Sequence, residues 1–396
     1  MKKELELNEL EERIKKFCRS ADKAHPQWDN ALILSKVNQY YFTGTMQDGM
    51  LLIKRDGTVS YYVRRSYERA LDESPLPHIY PMESYRNAAE REGKDLGYVL
   101  LEKETVTLAI MDRLKKHFTF KNIGSLDPLV LSLRAVKSPY EIRLIRESGK
   151  KHHEFLMEVV PSLLREGMSE ADLTAEIYEK MVKHGHQGVC RFNMFQTEIA
   201  VGQIGFGESS LYPTSFDGPG GAYGMYPAVP LVGSRERKLK KGDLVFVDIA
   251  YGVRGYHSDK TQVYSFGAEP PMEVIQIHRK CIDIQKRLAE LLKPNAIPSE
   301  IYRTVIGDLD NGFMENFMGF GKRRVKFLGH GIGLHVDEPP VIAEGFDQPL
   351  EENMVIALEP KKGIAGIGMV GVEDTYIVSP HGGECITGGG KDIIVV

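Results

Sequence analysis

A surplus of basic charge, paired cysteines and long apolar runs are all missing from this chain. Its formal net charge is −4, so no broad positive field draws in phosphate backbones, and neither nucleic acid nor an anionic membrane is expected as a partner. The four cysteines, Cys18, Cys190, Cys281 and Cys385, lie far apart with no Cys-x-x-Cys pair. That pattern argues against a zinc knuckle or a disulfide framework and for four reduced thiols. The opening stretch, MKKELELNELEERIKKF, has acids breaking every apolar run, so it reads as neither a secretory leader nor a membrane anchor. A cytoplasmic protein acting on a peptide or a small molecule is the expectation.

What is present is the balance of a soluble globular protein: 42% hydrophobic and 27% charged residues, with 39 Gly and 20 Pro spread along the chain. At 396 residues, and with a prior of about 150 residues per domain, two domains are expected. We place them at 1–136 and 137–396, in an α/β (α+β) fold. In the first, ALILS, MLLIK and TVSYYV read as strands, the last two joined at the Asp56-Gly57 turn, and TVTLAI reads as a further buried strand. The second begins at LRAVKSPYEIRLIRES, where Ser138, Pro139 and Glu141 supply a capping box and a helix start. A second helix follows Ser169, with Leu173, Ile177 and Met181 on one face and Gly185 to end it. Two more run from Pro271 to Leu292 and from Ser299 onward. No internal repeat is visible, although helix pairs and strands alternate in a way that permits a cryptic two-fold. The stretch from Gly202 to Ser234, crowded with Gly, Pro, Ser and Tyr, predicts a long ordered loop over a pocket.

Five strand-like runs of the second domain carry acids or a His among their apolar residues: DLVFVDIAYG, GYHSDKTQVYSFG, VKFLGHGIGLHV, NMVIALEPKKG and VGVEDTYIVS. A carboxylate inside such a run is costly to bury unless it is paired or binds a cation. Asp248, Asp259, Glu359 and Glu373 all pose this problem, and His330 adds an imidazole. Taken singly, each has a bland reading as a structural salt bridge or a loop residue. Together, four carboxylates and one imidazole suit a pair of divalent ions such as manganese, cobalt, zinc or iron.

This ordered set, with SKVNQYYFTG in the first domain and the junction LRAVKSPYEIRLIRES, resembles the pita-bread metallopeptidases: prolidase, aminopeptidase P, methionine aminopeptidase and the metal-free creatinase. The resemblance spans nearly the whole chain. It implies a creatinase-type N-terminal domain followed by a pita-bread catalytic domain. It further implies two ions bridged by Asp259 and Glu373, with Asp248 completing one site and His330 with Glu359 the other. A metal-bridging hydroxide would then attack a peptide bond next to proline, and Glu359 would take the proton from the water. The resemblance also implies a homodimer. No organic cofactor is expected.

Three departures weaken the substrate assignment. The chain reads GHGIGLHVDE where relatives usually read GHGVGLEVHE, so Asp337 stands where a second His is usual and His335 lies two residues earlier. On an extended strand the two would face the same side, so both are candidate catalytic groups; their bland reading is an exposed strand residue and a turn former. Leu231 stands where the family's Pro-His-Gly motif has its His, and Gly371 where many relatives have an Arg. Tyr212, Tyr223 and Tyr226 offer replacement hydroxyls and aromatic walls, although ordinary loop packing is the plainer reading for each. His257, beside the second acid, is an exposed strand residue by default, and His152 and His153 are helix residues without a catalytic role. The rival functions are hydrolysis of a non-peptide C–N bond, as in creatinase and ectoine hydrolase, and a non-catalytic binding module on the same scaffold.

Overall fold

The computed structural model describes residues 5–194 and 197–396. The chain divides into two compact units, with the boundary between Arg134 and Ala135.

The first unit is a mixed six-stranded sheet. The Asn30–Ile33 strand pairs antiparallel with Asp48–Lys54 and parallel with Tyr98–Leu101. Asp48–Lys54 turns through Asp56-Gly57 into Val59–Arg65, and the Thr58 amide donates to the Asp56 side chain, as the turn signal implied. Leu32, Met50, Leu52, Tyr62, Val99 and Leu101 make its core. TVTLAI does not form a strand. Thr107 instead caps a helix over Leu108–Lys115, accepting from the Ile110 amide, and Leu108 is 86% exposed. The β-branched residues suggested a strand, but a threonine followed by Leu-Ala-Ile is also a helix start, and the buried strand here is Tyr98–Leu101.

In the second unit Ser138 forms its capping box with Glu141 at the head of the Pro139–Glu154 helix. Ser169 does the same with Asp172, and Gly185, at φ +112°, ends the Glu170–His184 helix. Leu173, Ile177 and Met181 are fully buried on one face. They pack with Phe155, Val245 and Val247, each such side chain contributing on the order of 2 kcal/mol. A second core joins the Met272–Leu291 and Pro298–Gly307 helices to a five-stranded sheet through Cys281, Ile284, Leu288, Ile301, Ile356 and Leu358. That sheet runs in the order Glu338–Ala343, Phe327–Gly331, Val355–Leu358, Asp374–Ser379, Gly382–Cys385.

The expected long loop begins as a strand, Gly202–Phe206, paired with Leu244–Val253, and becomes irregular after Leu211. The buried Glu170 carboxylate holds both ends, accepting from the Phe206 and Ser234 amides at 2.8 Å each. Among the described residues no helix is long and apolar enough to cross a membrane, and the four cysteines are free.

Candidate metal centre

The first two acids come from one hairpin. The Leu244–Val253 and Tyr256–Ser265 strands are joined at Arg254-Gly255, with Asp248 opposite Thr261 and Asp259 opposite Ala250. Because side chains alternate along a strand, this register puts Asp248 and Asp259 on the same face of the sheet. Thr261 carries the geometry across to the other sheet, since its amide donates to the Glu373 carbonyl and its hydroxyl to Glu373 Oε2 at 3.1 Å. There the central strands align the rest: His330 is opposite Ala357, Leu358 is opposite Asp374, and the Glu359 amide donates to Leu328. All five residues therefore meet at one place. One donor atom each from Asp259, His330 and Glu373 lie within 4.8 Å of one another. His330 Nδ1 lies 3.2 Å from the Gly331 carbonyl, and a hydrogen bond donated there leaves Nε2 to face the acids.

The carboxylates of Glu359 and Glu373 are each used in two directions. Their Oε1 atoms lie 3.6 Å from His330 Nε2. Their Oε2 atoms accept from Lys361 Nζ, at 2.9 and 2.6 Å, and so does Asp248 Oδ2, at 2.9 Å. Lys361 was not foreseen. Its position two residues after Glu359, in a run with strand-like flanks, was the available signal.

The site crowds four carboxylates around Lys361 and His330. Burial would lower the His330 imidazole, but its closeness to Glu373 and the charges of Glu359 and Asp259 outweigh that and push it up to about 10. Burial and the neighbouring acids push Asp248 up to about 6 and Asp259 well above the usual carboxylate range. Glu373 is also buried, but Lys361 and His330 beside it hold it well below that range. Four carboxylates converging with an imidazole form a donor set that fits a hard-to-borderline divalent ion.

A cavity of about 710 Å³ opens onto this cluster, with Asp248, Asp259, His330, Glu359 and Glu373 in its lining. Its walls include Phe192, Phe216, Phe327, Val336, Val341 and Phe346, with Arg324 and Lys326 also exposed to it. Phe192 and Phe216 meet edge to face, with centroids 4.8 Å apart. Arg323 fixes the loop that delivers Phe216, donating to the Thr214 and Phe216 carbonyls.

The other predicted residues divide. Residues 333–337 are bends, not strand, so the alternation that paired His335 with Asp337 does not apply. Asp337 lines the cavity, but its carboxylate accepts from the Asn193 and Met194 amides. His335 lies outside the lining, and its amide donates to Glu338. Tyr212, Tyr223 and Tyr226 are exposed and do not line the cavity; Phe216, Asp217 and Gly218 reach it from that loop instead. Leu231 is also absent from the walls. His257 is fully buried rather than exposed. It sits 3.0 Å from the Gly333 carbonyl and from Gln187 Nε2, because an inward strand position in a two-sided sheet leaves no solvent face. Gly371 pairs with Lys361 across a hairpin.

The family model described as metallopeptidase family M24 matches residues 143–380, and that of the creatinase/prolidase N-terminal domain matches 13–136. The chain belongs to family M24. This M24 chain is 26% identical over 385 residues to the Xaa-Pro dipeptidase of Pyrococcus furiosus, covering 96% of the chain and 98% of that relative. It is 30% identical over 322 residues to the putative dipeptidase YkvY of Bacillus subtilis, covering 81% and 78%. Among solved structures, the prolidase from Pyrococcus horikoshii OT3 superposes with a TM-score of 0.79 at 25% identity, covering 97% of this chain and all of that one. The M24 chain is thus a metallohydrolase with a creatinase-type N-terminal domain and a pita-bread catalytic domain.

Proposed function

We propose that this metallohydrolase cleaves peptide bonds next to proline. The observation that carries the reading is a cavity lined both by the four clustered acids with His330 and by the aromatic and aliphatic side chains of Phe192, Phe216, Phe327, Val336, Val341 and Phe346. A pyrrolidine ring is a compact apolar group that such walls bury well. The names of the relatives point the same way.

Asp259, His330 and Glu373 would hold a divalent ion, with Glu359 beside them. When bound, that ion supplies a Lewis acid that lowers the pKa of a water and draws charge from the scissile carbonyl. Glu359 takes the proton from the attacking water, since its Oε1 is turned toward the His330 side of the cluster. Phe192 and Phe216 exclude water from the bond being cut. Asp337 orders the 193–194 backbone that carries one of those walls, which suits a positioning residue better than a proton donor. His335 has no part in this reading.

The test is turnover by the full-length protein supplied with manganese or cobalt, comparing Xaa-Pro dipeptides, Xaa-Pro-Xaa tripeptides and matched peptides without proline. We expect cleavage of proline peptides that is abolished by a chelator and by Glu359→Gln. Turnover of none of the proline peptides, with turnover of a cyclic amidine or ureido compound, would replace this proposal with the second reading, hydrolysis of a non-peptide C–N bond. Leu231 and Gly371 motivate that second reading, because neither can supply the polar contacts that a peptide substrate is expected to meet there.

A further inference from the structure

Among the described residues one ammonium, Lys361, stands inside the acidic cluster. A lysine ammonium has three N–H donors and no acceptor. Nζ lies within hydrogen-bond distance of three carboxylate oxygens, Asp248 Oδ2, Glu359 Oε2 and Glu373 Oε2. Its side chain is 0% exposed. The donors are therefore saturated, and each accepting oxygen is one that would otherwise face an ion.

The oxygens partition the centre into two halves. On one side, Oε1 of Glu359 and Oε1 of Glu373 face His330 Nε2, and Asp259 joins His330 and Glu373 in a set close enough to share an ion. On the other side, Oε2 of the same two glutamates and Oδ2 of Asp248 converge on Nζ. A metal ion ligated by those three oxygens would stand about 2.0–2.2 Å from each, in the space that the ammonium fills. Net charge does not choose between one ion and two. Four carboxylates and Lys361 sum to −3, which one divalent ion takes to −1 and two take to +1. Occupancy of the space decides it.

The backbone keeps Lys361 where it is. It lies on the Lys361–Ile364 strand, paired with Gly371 of Gly368–Gly371, and its carbonyl accepts from the Met318 amide at 2.8 Å. Gly371, at φ +124°, would place a Cβ 2.6 Å from Lys361 Cα. Only a glycine permits so close an approach of the two strands.

We infer that Lys361 is a built-in cation occupying the place of a second metal ion, so that this centre works with one exchangeable divalent ion beside a fixed ammonium. The inference rests on the metallohydrolase reading above and deepens it. An ammonium neutralises and aligns the three carboxylates, but it offers no empty orbital to a water or a carbonyl oxygen. The ion beside Asp259, His330 and Glu373 is then the sole Lewis acid, and Asp248 serves to hold Lys361 rather than a metal.

The experiment is a metal count. Full-length protein is stripped with a chelator, equilibrated with manganese(II) chloride and desalted, and bound metal is measured by mass spectrometry alongside the electron paramagnetic resonance spectrum. The wild type is expected to bind one ion per chain with the spectrum of an isolated manganese. Lys361→Ala is expected to bind two, with the spectrum of a spin-coupled pair. Two ions in the wild type would overturn the inference and leave the metallohydrolase reading standing. A count that stays at one in a folded Lys361→Ala variant would also overturn it. No binding by the wild type at millimolar manganese would instead overturn the metallohydrolase reading itself. If Lys361→Ala does not fold, the wild-type count and spectrum still decide.

Discussion

Behind the centre lies an ion pair whose removal should be felt in stability and in metal affinity together. Lys260 follows Asp259 and Asp374 follows Glu373, so strand alternation turns both away from the cavity and toward each other. Lys260 Nζ and Asp374 Oδ1 are 2.6 Å apart with both side chains 0% exposed, and Thr387 donates to the same carboxylate oxygen at 2.8 Å. At that distance and an effective dielectric constant near 20, the attraction is about 6 kcal/mol. Desolvation of the two ions costs several kcal/mol each, so the pair is close to neutral as a whole. Burial already pushes the Asp374 carboxyl up despite its partner. Removing one charge strands the other at a cost of about 3–5 kcal/mol. Lys260→Met and Asp374→Leu should therefore each lower unfolding free energy in denaturant titrations by that amount. The double variant should come within about 2 kcal/mol of the wild type, since two apolar groups replace two ions. Manganese affinity should fall at least tenfold in each single variant, because Asp259 and Glu373 are carried on the same two backbones. Single losses under about 1 kcal/mol, or a double loss equal to the sum, would refute the reasoning.

Two further outcomes follow from named groups. His186 is buried with Nδ1 accepting from the Gly252 amide at 2.9 Å, and burial pushes its pKa down to about 4. The unfolded chain, with an ordinary value near 6.5, binds the extra proton between these limits, so stability is full above about pH 6.5 and falls as pH drops toward 4, by up to about 3 kcal/mol. His186→Asn should flatten that limb of a stability-against-pH curve relative to the wild type, and parallel curves would count against the assignment. Gly371→Ala should destabilise by about 1–3 kcal/mol, from a strained φ and a clash with the Pro360 and Lys361 backbone. It should also lower the manganese affinity. An unchanged melting temperature would show that the strands can part without cost.

The candidate centre was legible in the sequence because burial makes each acid conspicuous. A carboxylate in LVFVDIA or VIALEP has no cheap fate except a partner; that Asp248 and Asp259 share one face came only from the register of their hairpin. The helices were legible from local chemistry at Ser138 and Ser169, where cap and first turn lie within four residues. The fate of TVTLAI was not, since a β-branched run headed by Thr107 supports either a strand or a cap, and the packing of a neighbouring strand decides. Nor was the path of residues 333–337, where the amide of His335 is taken by Glu338 and the chain runs in bends.

Sequence by itself thus pointed to the family, singled out Asp248, Asp259, His330, Glu359 and Glu373 as the acids and histidine that cluster, and marked the apolar runs that carry them. Tertiary structure alone decided which oxygen of each carboxylate faces which neighbour. The two oxygens of a glutamate are identical in the sequence, and only the crossing of two sheets turns one pair toward His330 and the other toward Lys361. It decided too that Lys361 points inward, because a side chain four residues before a hairpin turn has no burial preference until a partner strand approaches, as Gly371 does here.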